Sequence, residues 1–196
     1  MFDVSEKELR ERKRRRLLFY ARPGQRYFAR NMFELGILAL REALSEGHFD
    51  AETWEFHGIG AMNKYKSVPL SGHTELKMIP RLSLQEYRRI LPTYDLGLSL
   101  MLTPHPSLMP LDMAAALIAV TNTFATKTAE KMSAISPNII AVPPTIDDLK
   151  RGLIQARAAV DDFAKRVAGA RLNWCTSWEE TFDAEVMAAL RKFIGW

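Results

Sequence analysis

The chain has 196 residues, 47% of them hydrophobic and 26% charged. These are the values of one folded domain large enough to bury a core, and they exclude disordered chains, collagen-like repeats and coiled-coil rods. The net charge of +4 sits at one end, because residues 1–16 hold seven basic and four acidic groups and the rest nearly balances.

In chain order, Ser5 and Glu8 form a capping box that opens a short charged helix running to about Arg16, with no apolar stripe. Leu17 to Ala21 is an unbroken apolar run of strand length, as in a parallel sheet covered on both faces. After Pro23-Gly24, residues 27–46 repeat apolar groups at helical spacing (Phe33, Ile37, Leu40, Leu44), and Gly47 stops them. Thr53–Gly60 reads as a strand, 61–70 as loop, and Glu75–Ile79 as a strand. Ser83 and Glu86 box a helix through Leu91 that turns Leu84, Tyr87 and Leu91 inward. Asp95–Met101 is a strand, followed by a proline-rich loop and a short helix beginning near Leu111. Strands are expected again around Ile118–Thr121 and at Asn138–Val142. A helix over 147–167 carries Leu149, Leu153, Ala156, Val160, Phe163 and Val167. A last helix, capped by Ser177 and Glu180, turns Trp178, Phe182, Val186, Leu190 and Phe193 inward.

Strands alternating with helices point to a doubly wound, mostly parallel α/β sheet. Ligands bind such sheets at the loops beyond the carboxyl ends of the strands, so residues 22–30 and 102–112 matter most. The first loop holds Arg22, Arg26 and Arg30, whose guanidinium groups suit a diphosphate; the same groups are equally ordinary as solvated charges. The second holds His105, Ser107 and Asp112 among prolines that stiffen it, with free N–H groups near Leu111 to Met113 for an anion. Asp112 suits sugar or ribose hydroxyls, and it also suits the dipole of a helix's first turn.

The phosphate-loop, dinucleotide, serine-hydrolase and zinc-protease signatures are missing. Asp147-Asp148 and Asp161-Asp162 read as a cap and a solvated face, so no metal site is expected. Cys175, between Trp174 and Trp178, reads as packed; as the single cysteine it excludes an intrachain disulfide and fits a reducing compartment. No apolar run reaches the roughly 18 residues of a membrane span, and no signal peptide is evident.

The stretch Ser99-Leu-Met-Leu-Thr-Pro-His-Pro-Ser-Leu-Met-Pro-Leu-Asp-Met-Ala-Ala115 resembles the donor-site loop of GT-B glycosyltransferases, most closely the rhamnosyltransferases of bacterial surface-glycan assembly. Phe19-Tyr20-Ala21-Arg22-Pro23, Arg30-Asn31, Leu82-Ser83, Glu86-Tyr87, Val120-Thr121-Asn122, Lys127 and Ser136-Pro137-Asn138-Ile139 are similar to further landmarks in the same order. The resemblance spans about residues 17–180. It implies a Rossmann-like three-layer α/β/α domain, the C-terminal half of a GT-B fold, over residues 17–196, with 1–16 as a charged helix or linker. It implies a donor-binding domain for rhamnosyl or related hexosyl transfer in cell-surface glycan synthesis, with a nucleotide-sugar (a dTDP-sugar favoured) as substrate, no cofactor or metal, and retention of configuration favoured. Arg22, Arg30, Ser107 and Leu111 would hold the donor diphosphate, Arg81 and Leu82 the base or phosphates, and His105 and Asp112 the sugar or ribose. Asp112 stands where the family has a glutamate, Leu117 where it has a small-residue turn, and Pro104 where the broader pattern has another glutamate.

An N-terminal acceptor domain, in the same chain or another, is the expected partner, without which the isolated chain would be inactive. The alternative is a non-catalytic module of the same fold that binds a nucleotide diphosphate or a protein. A cytoplasmic protein is expected, with residues 10–16 as a peripheral contact to an anionic inner membrane face, and no nucleic-acid partner.

Overall fold

The run Leu17-Leu18-Phe19 feeds two cores, because successive side chains of a strand point to opposite faces. In the computed structural model, which describes residues 2, 5–23, 30–60 and 66–195, it lies within the central strand. The elements begin with α1 (Glu6–Arg10), β1 (Arg15–Tyr20), α2 (Phe33–Ser45), β2 (Trp54–Ile59), β3 (Ser67–Ser71), β4 (Thr74–Met78), α3 (Leu84–Ile90) and β5 (Leu96–Ser99). There follow α4 (Leu108–Ala114), β6 (Ile118–Asn122), α5 (Ala129–Ile135), β7 (Ile139–Val142), α6 (Ile146–Ala159), α7 (Phe163–Gly169), α8 (Trp178–Thr181) and α9 (Ala184–Ile194).

The sheet runs β3-β4-β2-β1-β5-β6-β7, parallel throughout except for the edge strand β3. Leu17 and Phe19 join Ile37, Leu40, Leu149 and Leu153 from α2 and α6 on one face. Leu18 joins Leu111, Met113 and Leu117 from α4 and its end, and Met132 from α5, on the other. This is the expected three-layer α/β/α arrangement. Leu117 is fully buried in that second core, so its bulk fills the layer under α4.

β1 begins at Arg15, two residues before the expected start, because residues 15 and 16 already pair with Trp54 and Glu55. α1 is only five residues long and is not a solvated rod: Leu9 is fully buried, and the Arg10 guanidinium lies 4.8 Å from the Phe163 ring centre. α2 begins at Phe33 and not near 27: Met32 before it is left-handed (φ 46°) and residues 30–32 are not α-helical, so the stripe that the sequence extends backwards stops there; residues 24–29 lie outside the described residues. The end of the expected 61–70 loop is instead β3, an edge strand of five residues including Pro69 that pairs antiparallel with β4. Leu84 is exposed, while Leu91 is buried as expected. α5, which the sequence reading missed, is short and is started by the Thr128 hydroxyl accepting from the Lys131 N–H. The helix expected over 147–167 breaks after Ala159, where the Asp162 carboxylate caps α7 by accepting from the Lys165 N–H.

The C-terminal segment departs furthest from expectation. Its stripe is real, but Trp178 is 76% and Phe193 88% exposed, and Phe182, Val186 and Leu190 are exposed as well. Cys175 is also exposed, contrary to the packed position expected. The amphipathic period was legible; the described body places nothing over that face.

The basic run 10–16 is mostly paired within the domain. Arg14 and Arg16 reach Glu55 at 3.1 and 3.0 Å, and Arg15 reaches Asp161 at 2.5 Å. Arg12 turns inward to Asp95, which is fully buried at the start of β5. One Asp95 oxygen accepts from Arg12 at 2.8 Å and from Arg166 of α7 at 2.9 Å, and the other accepts from the Arg16 N–H at 3.0 Å. Arg166, itself buried, donates through Nη2 to the Tyr94 and Ala116 carbonyls at 2.7 and 3.3 Å, while its Nε has no hydrogen-bond partner among the described residues. Removing one partner of a buried ion pair leaves an uncompensated charge in low dielectric. Asp95→Asn is therefore expected to lower unfolding free energy by about 3–5 kcal/mol, measured by urea denaturation; a change within the error of the wild-type value would contradict the assigned role.

Candidate functional site

β1 pairs with β2 on one side and β5 on the other, so the winding of the sheet reverses between β1 and β5. The crevice beyond the carboxyl ends of these two strands is where doubly wound folds take ligands. The segment after β5 starts there, and so do the described first residues of the segment after β1, Ala21 to Pro23.

After β1, Tyr20 is half-buried and the Arg22 guanidinium sits over its ring, 5.0 Å from the centre. Arg26 lies outside the described residues. Arg30 is exposed, and its carbonyl accepts from the Leu102 N–H at 2.7 Å, which ties the first loop to the second. Next to it Asn31 is buried, donating to the Leu100 carbonyl at 3.4 Å, while its side-chain oxygen has no partner among the described residues.

The second loop is braced from β6. The Asn122 side chain accepts from the Met101 N–H at 2.7 Å and donates to the Met101 carbonyl at 3.1 Å. The Thr126 hydroxyl donates to the Pro104 carbonyl at 3.0 Å. Further along, His105 Nδ1 accepts from the Ser107 N–H at 3.1 Å, so in the neutral ring the proton sits on Nε2, which is left for a ligand. Ser107 has φ 69° and ψ 150°, a region essentially reserved for glycine.

α4 starts at Leu108, three residues before the expected start, because the turn at Ser107 ends the loop there. The first-turn amides are those of Leu108 and Met109, since Pro110 has none. Leu111 is the fourth residue of α4 and its side chain is buried, which places its amide inside the helix and not at its mouth. Asp112 accordingly falls in the second turn. Gly97 lets α4 approach this closely, because a Cβ there would meet Met113 Sδ at 2.6 Å and Leu117 at 2.7 Å.

Asp112 is half-buried; burial raises its carboxyl pKa and the Arg88 charge opposes the rise. The Tyr87 hydroxyl is held well above its ordinary pKa, mainly by burial, with Asp112 and Tyr20 adding to the shift. Tyr20, Tyr87, Arg88 and Asp112 thus form one electrostatic cluster from three elements. Tyr87 was read from the sequence only as a core residue, and Arg88 was not singled out; their meeting with Asp112 depends on how α3 packs. Leu82 packs against the same apolar layer as Tyr20 and Met109, whereas Arg81 is exposed and makes no hydrogen bond or ion pair among the described residues. Among the described residues no group of three or more His, Cys, Asp or Glu side chains is placed to hold a metal ion, and no helix is long and apolar enough to cross a membrane.

A family model for the WsaF C-terminal domain matches residues 15–154. Among curated protein sequences none matches this one. Several solved structures share the fold. The α,α-trehalose 6-phosphate synthase of Burkholderia multivorans matches with TM-score 0.62 and 14% identity, over 93% of this chain and 44% of its own. The E. coli trehalose-6-phosphate structure bound with UDP-2-fluoro glucose matches with TM-score 0.60 and 16% identity, over 92% and 45%. WaaG, a glycosyltransferase involved in lipopolysaccharide biosynthesis, matches with TM-score 0.56 and 17% identity, over 87% and 46%. The likeness is one of fold, that of GT-B glycosyltransferases, and the chain spans less than half the length of these structures.

The Ser107 backbone stores strain that glycine would relieve, typically about 1–3 kcal/mol. Ser107→Gly is expected to raise stability by about 1 kcal/mol, and Ser107→Val to lower it, both read from urea midpoints; the reverse order would show that the turn is unstrained.

Proposed function

The chain belongs to the WsaF C-terminal domain family, and on that premise we propose that it is the nucleotide-sugar-binding half of a glycosyltransferase, with rhamnosyl or a related hexosyl group as cargo. What supports this reading is that Arg22 follows β1 and lies over Tyr20, that the Arg30 carbonyl is bonded to Leu102 of the braced 101–107 loop, and that Asp112 follows that loop on α4. Cations and first-turn amides suit a diphosphate, and a half-buried carboxylate suits sugar or ribose hydroxyls.

In transfer, the bond between the anomeric carbon and the diphosphate oxygen would break with its electron pair going to that oxygen, an acceptor hydroxyl oxygen would bond to the anomeric carbon, and the hydroxyl proton would pass to the leaving diphosphate. Charge develops on the leaving nucleoside diphosphate. Arg22, Arg30 and the Leu108 and Met109 amides would stabilise that charge without reorganising, which is the economical form of electrostatic catalysis. His105, through Nε2, and Asp112 would orient the sugar or ribose. Arg81 and Leu82 would flank the base, and Ser107 would hold the loop in register. A dTDP-sugar is the favoured donor and no metal is required by this scheme.

The acceptor half would come from a second domain. The exposed apolar face of α9, with Val186, Met187, Leu190 and Phe193, supports such a partner, as does a span of less than half the neighbours' length. The competing reading, a nucleotide-binding module without turnover, is favoured by one feature: Asp112 reaches a methylene less far than glutamate.

Titration with dTDP, UDP and GDP tests the binding. At least one is expected to bind, with Arg22→Ala and Arg30→Ala each weakening it about tenfold or more; no binding at millimolar concentration would overturn the reading. Donor turnover with and without an added acceptor domain separates the enzyme from the binding module.

A further inference from the structure

Lys127 is 98% withdrawn from solvent at the end of the turn that follows β6, with a residual exposure of 2%. Its ammonium donates to the Met101 carbonyl at 3.0 Å, at the root of the 101–107 loop. Lysine is among the residues least often buried, and when buried it normally meets a carboxylate. No acidic side chain pairs with Lys127 among the described residues. Burial is the only cause of its depressed pKa, about 8; His105 on the loop, Asp112 on α4, and Glu130 and Lys131 on α5 contribute nothing to it.

The bond to Met101 does not explain the charge. Asn122 already donates to that carbonyl and accepts from the same residue's N–H, so Met101 is satisfied without the lysine. Neither does the turn need it, because the turn is closed by main-chain bonds between Phe124 and Lys127 at 3.0 and 2.9 Å. A costly buried cation with a dispensable hydrogen bond lies directly beneath the loop that the site reading assigns to an anion.

We propose that Lys127 is a specificity-determining residue, a fixed positive charge under the 101–107 loop that makes the site favour a nucleoside diphosphate over the monophosphate. The inference rests on the nucleotide-sugar reading above. A singly esterified diphosphate carries more charge than the monophosphate and gains more from a cation in a low-dielectric setting. Binding would also draw a proton onto the fraction of lysine that is neutral near pH 8, so diphosphate affinity falls as pH rises through that range.

The test is calorimetric titration of the whole chain with dTDP and dTMP, for wild type, Lys127→Met and Lys127→Gln, together with melting temperatures. Wild type is expected to prefer dTDP, and both variants to lose about tenfold or more of dTDP affinity while dTMP changes little. Above pH 8 the wild-type dTDP affinity should fall, and that of Lys127→Met should not. The melting temperature of Lys127→Met should rise by several degrees, because an apolar side chain replaces an uncompensated charge. A structural tether predicts the opposite, a lower melting temperature with both nucleotides weakened alike, and that result overturns the proposal. An unchanged dTDP preference in the variants overturns it alone and leaves the site reading standing. Failure of wild type to bind either nucleotide, or UDP and GDP in the parallel titration, overturns both.

Discussion

Asp95 holds the amino end of the sheet together, and the geometry of the site depends on it. Its carboxylate, at the start of β5, joins Arg12 ahead of β1 to Arg166 on α7, and it also accepts from the backbone of β1. β1 and β5 are therefore fixed side by side from their first residues. Their far ends, where the crevice opens, inherit that alignment. Arg15 also approaches the carboxylate, at 3.7 Å, and the excess positive charge of the three guanidinium groups is spread onto backbone carbonyls at Tyr94, Ala116 and Leu9. The role is structural, and it lies at the opposite end of the strands from the chemistry.

At the carboxyl end several polar groups are left strained or incompletely paired. Ser107 holds a glycine conformation, and among the described residues the Asn31 side-chain oxygen has no partner and Lys127 is buried without a counter-charge. Natural sequences tolerate such local costs chiefly at functional sites. Asn122 and Thr126 from the β6 side limit the damage by clamping the loop backbone at Met101 and Pro104. The loop backbone is thus held in place from the β6 side.

Much of this was readable from residue order alone. The apolar run at Leu17, the capping box at Ser83 and the stripe from Leu149 to Ala156 each specify local structure by short-range chemistry, and each is found in the element expected of it. The 102–107 segment was legible as a loop ahead of a short helix through its prolines. Misreadings fell where local pattern is weak or ambiguous. β3 is an edge strand that takes its form from β4, and the 147–167 stripe hides a break because Val160 and Phe163 stay in phase across it. Arg12 to Arg16 read as a solvated run, since nothing local distinguishes an arginine facing water from one facing Asp95.

What the sequence determined by itself is the alternation of strands and helices, their approximate limits, and the two loops that carry arginine and aspartate. Those depend on periodicity and on caps only a few residues apart. Only the tertiary structure decided the cluster of Tyr20, Tyr87, Arg88 and Asp112, the burial of Lys127 under Met101, and the exposure of α9. Each depends on which surfaces meet across many tens of residues, and no local pattern carries that information. The charge concentrated in residues 1–16 shows the difference plainly: composition located it, while the fold turned most of it into internal ion pairs.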